Sequence, residues 1–142
     1  MMNRMEDLDS VKASLNSFKQ QLAAKKAEKQ GYLNTANAIK AVYDRMAEDK
    51  ELIKGYRSSL KTFLREKFDT FKGNLYTESY KAQMEALISD YDVVIGNIDT
   101  NMDRLNTARA QYENKAYKCN GPIGYLQSMV NSLAHTVQNW FN

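Results

Sequence analysis

The stretch LDSVKASLNSFKQQL, residues 8–22, decides the fold class. Its apolar residues alternate spacings of three and four positions, and they are Leu8, Val11, Leu15, Phe18 and Leu22. That spacing places them along one side of an α-helix, as in the seam of a coiled coil. Because a lone helix cannot bury such a stripe, the pattern predicts that another helix covers it.

The same register continues beyond residue 22, with a polar gap in its middle. It passes Lys25 and Lys29 and then meets the further positions Tyr32, Ala36, Ile39, Tyr43 and Met46. The gap coincides with Gly31, where we expect the helix to bend or to lose its partner. Acidic residues and Gly55 weaken the pattern again, which predicts a kink or short break near residues 48–56.

Three further signals complete the secondary structure. The sequence FKGNLYTES predicts a chain reversal at 71–77, because Gly73 and Asn74 favour turns and Thr77 can cap a helix. A wide apolar face then predicts a helix over 78–117. The segment KCNGPIG ends it, with Asn120-Gly121 suited to a C-terminal turn and Pro122 to a first helical position. A last amphipathic helix follows over 122–141.

Composition agrees with this reading. The chain has 142 residues, with 6 Gly and 1 Pro, too few for the turns of a β-protein, and no segment alternates with period two. The sequence therefore predicts one all-α domain over 1–142, an elongated antiparallel helical hairpin with coiled-coil character and an additional C-terminal helix. Residues 3–70 form its first long helix or a series of kinked helices.

Catalytic, metal and cofactor sites are not expected. The single cysteine, Cys119, excludes an intrachain disulfide, and with the single His135 it supplies no zinc-ligand set. Carboxylate pairs such as Asp99 and Asp103 lack the Glu-x-x-His motif of di-iron bundles and favour a solvated helix face. No glycine-rich phosphate loop is present. The sequence therefore predicts a binding protein rather than an enzyme.

Charge distinguishes the two halves of the chain. Residues 1–72 hold 15 Lys/Arg against 10 Asp/Glu, and residues 73–142 hold 5 against 7, a contrast that favours folding the halves together. Nucleic-acid binding would use Lys12, Lys19, Lys25, Lys26 and Lys29, but a solvated face is the usual meaning of such a run, so no nucleic acid is expected. The charged N-terminus resembles neither a secretory signal nor a membrane span.

A resemblance appears at the predicted reversal. Small type VII secretion proteins of the WXG100 family are helical hairpins whose turn carries Trp-x-Gly, and Phe71-Lys72-Gly73 stands in that place here. The runs ISDYDVVIGNIDTNMDRLNTARAQYEN and GPIGYLQSMVNSLAHTVQNWF also resemble the later helices of longer relatives. These relatives are the α-helical accessory proteins associated with LXG-domain toxins of Gram-positive bacteria. The chain departs from the family in having Phe for Trp and in lacking Tyr-x-x-x-Asp/Glu.

The resemblance implies a targeting or chaperone-like protein that binds the helical N-terminal LXG domain of a toxin, together with a second small helical protein. It implies a cytoplasmic protein, with co-export beside its partner left open, and no cofactor. Partner contacts are predicted at Leu8, Val11, Leu15, Phe18, Leu22, Ile88, Ile95 and Met102. The alternative is a coiled-coil adaptor that self-associates through residues 8–46, so a homodimer also stays open.

Overall fold

Three α-helices make up nearly all of the structure, a computed structural model that describes the backbone of residues 4–70 and 76–141 and the side chains of 6–66 and 78–141. Helix α1 spans Arg4–Thr70, α2 spans Lys81–Lys118 and α3 spans Asn120–Trp140. A π-helical turn, Tyr76–Tyr80, leads into α2. No strand occurs in these ranges. The prediction of an all-α helical hairpin with a C-terminal helix is confirmed.

Helix α1 is continuous over its 67 residues, so the break predicted near 48–56 is absent. Charged residues occupy seam positions there, and they pair with acidic residues of α2: Lys50 with Asp99, and Arg57 with Asp92. A pattern of apolar residues along one helix cannot show such pairing. Gly31 and Gly55 both lie within the helix, and neither has a neighbouring side chain within 4 Å of where its Cβ would be.

The interruption predicted at KCNGPIG is much shorter in the structure than the sequence indicates. Only Cys119 separates α2 from α3, and α3 begins at Asn120 rather than at Pro122. Cys119 keeps right-handed angles (φ −68°, ψ −20°), and no glycine in the described part of the chain has positive φ. Pro122 has no N–H to donate to the carbonyl of Lys118, so one helical hydrogen bond is missing at this junction. The Cys119 amide donates instead to the carbonyl of Ala116 at 3.1 Å.

The chain divides into two compact units. Unit 1 comprises Met1–Asn37 and Arg109–Asn142, and unit 2 comprises Ala38–Ala108. Within unit 1, α1 runs antiparallel to the end of α2 and to α3, since Lys12 contacts Phe141 while Tyr32 contacts Tyr112. Within unit 2, α1 runs antiparallel to α2. The prediction of a single domain over 1–142 is not tested by this division.

Among the residues whose side chains the structure describes, the buried ones all belong to unit 1. Leu22, Leu126 and Val130 form a core cluster, and Leu15, Phe18 and Ile123 pack against it. Leu8, Ala36, Ala116 and Cys119 are also buried. These positions keep the three-and-four spacing along α1 and along the α2–α3 side of the hairpin. The intramolecular seam therefore has a buried apolar core in this unit.

Candidate partner-binding surface

The predicted partner residues of α1 lie in the seam of unit 1. Leu8 and Leu22 are buried, and Leu15 and Phe18 pack against the core cluster. Val11 is half-buried. The helix that covers this stripe belongs to the same chain, since Leu126 and Val130 lie on α3. A partner contact along the stripe stays a prediction, and any partner would meet residues that are already packed.

The predicted partner residues of α2 lie in the seam of unit 2. Ile88, Ile95 and Met102 are half-buried and recur every seven residues. Half-buried residues of α1 in this unit follow the matching pattern: Ile39, Tyr43, Met46, Lys50, Ile53, Arg57, Leu60 and Leu64. With this spacing, Lys50 and Arg57 take heptad position a of α1, while Ile88, Ile95 and Met102 take position a of α2.

No described residue of unit 2 is buried. In this unit each helix presents one seam to the other and leaves its remaining faces to solvent. Consistent with this, seven of the large apolar side chains exposed in the described part of the protein belong to unit 2: Val42, Leu52, Tyr56, Phe63, Leu87, Val93 and Val94.

Two ion pairs fix how the helices of unit 2 face each other. Arg57 Nε lies 2.5 Å from Asp92 Oδ1, and its Nη2 donates to Asp92 Oδ2 at 3.2 Å. Lys50 pairs with Asp99 in the same way, one heptad earlier on α1 and one heptad later on α2. The bond to Asp99 raises the pKa of Lys50 above its ordinary value. Both acids take heptad position e, so this side of the seam is charged.

The side that bears these acids carries most of the charged residues of unit 2 that lie next to the seam. In an antiparallel pair of helices, positions e and b of both helices share one side, and positions g and c share the other. The intrahelical pairs Lys40–Asp44 and Lys54–Glu51 also lie on the e and b side. We call this side the charged face. Exposed pairs of this kind contribute little stability, but they keep the face solvated.

Several large apolar residues lie exposed on the opposite side of unit 2, where polar residues such as Asp49 and Arg104 hold other positions. Positions g and c there carry Val42, Leu52, Tyr56 and Phe63 from α1, and Leu87 and Val94 from α2. We call these six residues the open face. Each is between 39% and 58% exposed. The register set by the ion pairs places Tyr56 level with Val94 and Phe63 level with Leu87, so both helices contribute to the open face.

Unit 1 holds a linked polar cluster around Glu28. The carboxylate of Glu28 accepts hydrogen bonds from Lys25 Nζ at 2.9 Å and from the Tyr32 hydroxyl at 3.1 Å. These bonds lower the pKa of Glu28 and raise the pKa values of Lys25 and Tyr32. On α2, Lys115 Nζ lies 4.8 Å from the ring centre of Tyr112 and 5.9 Å from the ring centre of Tyr32 on α1. This chemistry fastens α1 to the end of α2 rather than exposing apolar area.

The groups considered for chemistry are dispersed. Cys119 is buried, and its thiol donates to the carbonyl of Lys115 at 3.4 Å. His135 is exposed on α3. Among the residues that the structure describes, no cluster of His, Cys, Asp and Glu could hold a metal ion. None of the helices in 4–70 and 76–141 carries an apolar stretch of the length needed to cross a bilayer.

The turn motif Phe71-x-Gly73 lies outside the described residues. Comparison with known proteins adds no relative, since no family model, curated protein or solved structure matches the chain. The open face is the feature that reasoning from single helices missed. Its signal was present, because assigning heptad positions to both helices together separates Tyr56, Phe63, Leu87 and Val94 from the seam beside them.

Proposed function

We propose that this chain is a non-catalytic binding protein whose open face packs against the helices of a protein partner. One observation carries the proposal: in unit 2 large apolar side chains from both helices lie exposed on one side, while the opposite side is charged. Apolar patches of several hundred Å² are uncommon on monomers without a function. A helix pair with one apolar face and one charged face is suited to completing a helical bundle.

The energetics favour such a role. Full burial of one Leu, Val or Phe side chain stabilises a complex by about 1.5–3 kcal/mol. Six side chains of the open face, each roughly half exposed, would contribute several kcal/mol before the cost of association. Because association itself costs about 4–15 kcal/mol, burial of the open face alone supports a weak, reversible interaction, and polar contacts with the partner have to add to it. It also requires no rearrangement of the seam in unit 1.

We further propose that the partner is the helical N-terminal LXG domain of a toxin, exported by the type VII secretion system with a second small helical protein. The support for this partner is the resemblance at Phe71-Lys72-Gly73 and in the two later helices. The missing Tyr-x-x-x-Asp/Glu makes this chain the targeting subunit that brings a toxin to a partner bearing that signal. An LXG domain is helical, and an amphipathic helix of such a domain could pack its apolar side against the open face.

The decisive experiment compares two neighbouring valines. Val94 lies on the open face, whereas Val93 is 60% exposed at heptad position f and points away from both faces. Val94→Asp should weaken binding of the purified chain to the N-terminal domain of an LXG toxin encoded beside it by at least tenfold in calorimetry. Val93→Asp introduces the same charge one residue away and should leave affinity within about twofold.

Two results would overturn the proposal in different ways. Absence of any binding by the wild-type chain, with the second helical protein also present, would refute the LXG partner. Equal loss of affinity in the Val93 and Val94 variants would refute the open face as the contact. Circular dichroism of both variants keeps the comparison valid, because each replaces an exposed side chain and should retain helicity.

A further inference from the structure

We propose that a second copy of this chain covers the open face when no other partner is bound, with α1 lying antiparallel on α1 of the second copy and α2 on α2. The inference does not depend on the LXG partner. It rests on the order of side chains along the open face, which is complementary to itself when one copy is turned end over end about a two-fold axis.

The first sign of self-complementarity is the gradation of side-chain size. Along α1, position g holds Val42, Asp49, Tyr56 and Phe63, and along α2 it holds Leu87, Val94, Asn101 and Ala108. A two-fold axis level with Leu52 brings Phe63 against Val42 of the second copy. It likewise brings Leu87 against Ala108 of the second copy. Large residues then meet small ones, as close packing between helices requires.

The second sign is the polar pair that the same axis creates. Asp49 interrupts the apolar row of α1, and its carboxylate takes part in no ion pair or hydrogen bond within the described chain. The axis places it opposite Tyr56 of the second copy, whose hydroxyl can donate to it. Each dimer would contain this bond twice. An acid that interrupts an apolar face thereby gains a partner when the face is covered.

The third sign lies at the outer edge of α2. Asp90 and Arg104 both take heptad position c there, and neither is paired within the described chain. The axis that brings Leu52 onto Leu52 also brings Asp90 level with Arg104 of the second copy. The interface would therefore be closed on that edge by two ion pairs related by symmetry, which fix the register of the two copies.

The other two-fold arrangement is disfavoured by the same residues. If the axis ran parallel to the helices, α1 would lie on α2 of the second copy at equal height. Arg45 would then face Arg104 of the second copy, and Phe63 would face Leu87. Like charges would oppose each other, and the large side chains would gather in one layer. The end-over-end arrangement avoids both problems.

The size of the face suits a dimer. From Val42 to Phe63 the open face extends roughly 30 Å, and two helices give it a width of roughly 20 Å. The product is a flat area of roughly 600 Å², and the surface buried per copy becomes larger once the side chains interdigitate. The buried surface then approaches the roughly 800 Å² per partner of a stable complex.

The test uses a cysteine at the proposed axis. In the full chain carrying Cys119→Ser, Leu52→Cys should form a disulfide-linked dimer of twice 16.3 kDa under mild oxidation, because the two position-52 side chains meet. Lys54→Cys is the matched control, since residue 54 lies on the charged face, and it should stay monomeric under the same treatment. Light scattering of the unmodified protein should show a concentration-dependent dimer.

Charge reversal tests the register independently. Asp90→Arg should weaken self-association at least tenfold, because it opposes Arg104 of the second copy, and adding Arg104→Asp should restore it. A monomer at all concentrations would overturn the proposal. So would cross-linking of Leu52→Cys chains only to Asn97→Cys chains, since that pairing belongs to the parallel axis. Neither result would bear on binding of an LXG domain.

Discussion

Arg57 of α1 and Asp92 of α2 form a two-point contact, with Nε 2.5 Å from Oδ1 and Nη2 donating to Oδ2 at 3.2 Å. Arg57 occupies a seam position that would ordinarily hold an apolar residue, and its side chain is 28% exposed. The contact therefore does more to set the antiparallel register of unit 2 than to bury apolar area. It also lies on the charged face, so the open face lies on the opposite side of the seam.

Arg57→Asp should destabilise unit 2 by placing two carboxylates together, and the double variant Arg57→Asp with Asp92→Arg should recover most of the loss. Because Asp92 is 53% exposed, we expect a modest effect of roughly 0.5–1 kcal/mol, and less at high salt. Urea unfolding followed by circular dichroism at low and high salt measures it. A double variant no more stable than the single one would contradict the pairing.

Val130 should contribute far more to stability than an exposed valine. It is buried in the core cluster of unit 1, so Val130→Ala should cost roughly 1–2 kcal/mol, while Val93→Ala should change the free energy of unfolding by less than about 0.5 kcal/mol. Both substitutions improve helix propensity equally, so their difference reports burial.

The buried thiol of Cys119 gives a second measurement of how far the core cluster stabilises unit 1. Its side chain lies in unit 1 and is only 5% exposed, so labelling by a thiol reagent requires local opening. Val130→Ala should accelerate that labelling several-fold, and Val93→Ala should not. Equal rates in the two variants would mean that the core cluster does not protect this part of the chain.

The seam could be predicted from the sequence, and its partner could not. The spacing of Leu8, Leu15 and Leu22 specifies a helix with one apolar side, but it carries no information on which helix covers that side. In unit 1 the cover is α3 of the same chain. The stripe was therefore predicted correctly as a packing surface, while its contact with a second protein is a prediction that the structure leaves untested.

The breaks show the complementary weakness of sequence patterns. The region 48–56 looked like an interruption because acidic residues and Gly55 weaken the apolar pattern there. In the structure Lys50 and Arg57 hold the seam positions of this region and pair with carboxylates. Their acids lie on α2, more than thirty positions away, so only the paired helices reveal that the charges are satisfied. The open face was hidden for the same reason, since a side of a hairpin is defined by two helices together.

Acid should loosen the cluster around Glu28. Its bonds to Lys25 and Tyr32 hold the pKa of this carboxyl below its ordinary value in the folded protein. A lowered folded pKa means that the contribution to stability is complete above the unfolded pKa. It is lost as the pH falls through the lowered value. Glu28→Gln removes the contribution of the charged carboxylate to stability. The thermal midpoints of variant and wild type should therefore differ at neutral pH and converge in acid. A constant difference across the acid range would contradict the assignment.

Gly96 should be replaceable by alanine with a gain in stability. It lies in the middle of α2 on the charged face, and a Cβ built there meets no atom within 4 Å. Glycine in a helix interior costs up to about 1 kcal/mol relative to alanine, so Gly96→Ala should raise the free energy of unfolding by about 0.5–1 kcal/mol in urea titrations. The open space also means that no close approach by any described part of the chain requires glycine here. The opposite sign would show that a neighbouring backbone needs the room. A stabilised variant with weakened partner binding would place a contact on the charged face, in addition to the open one.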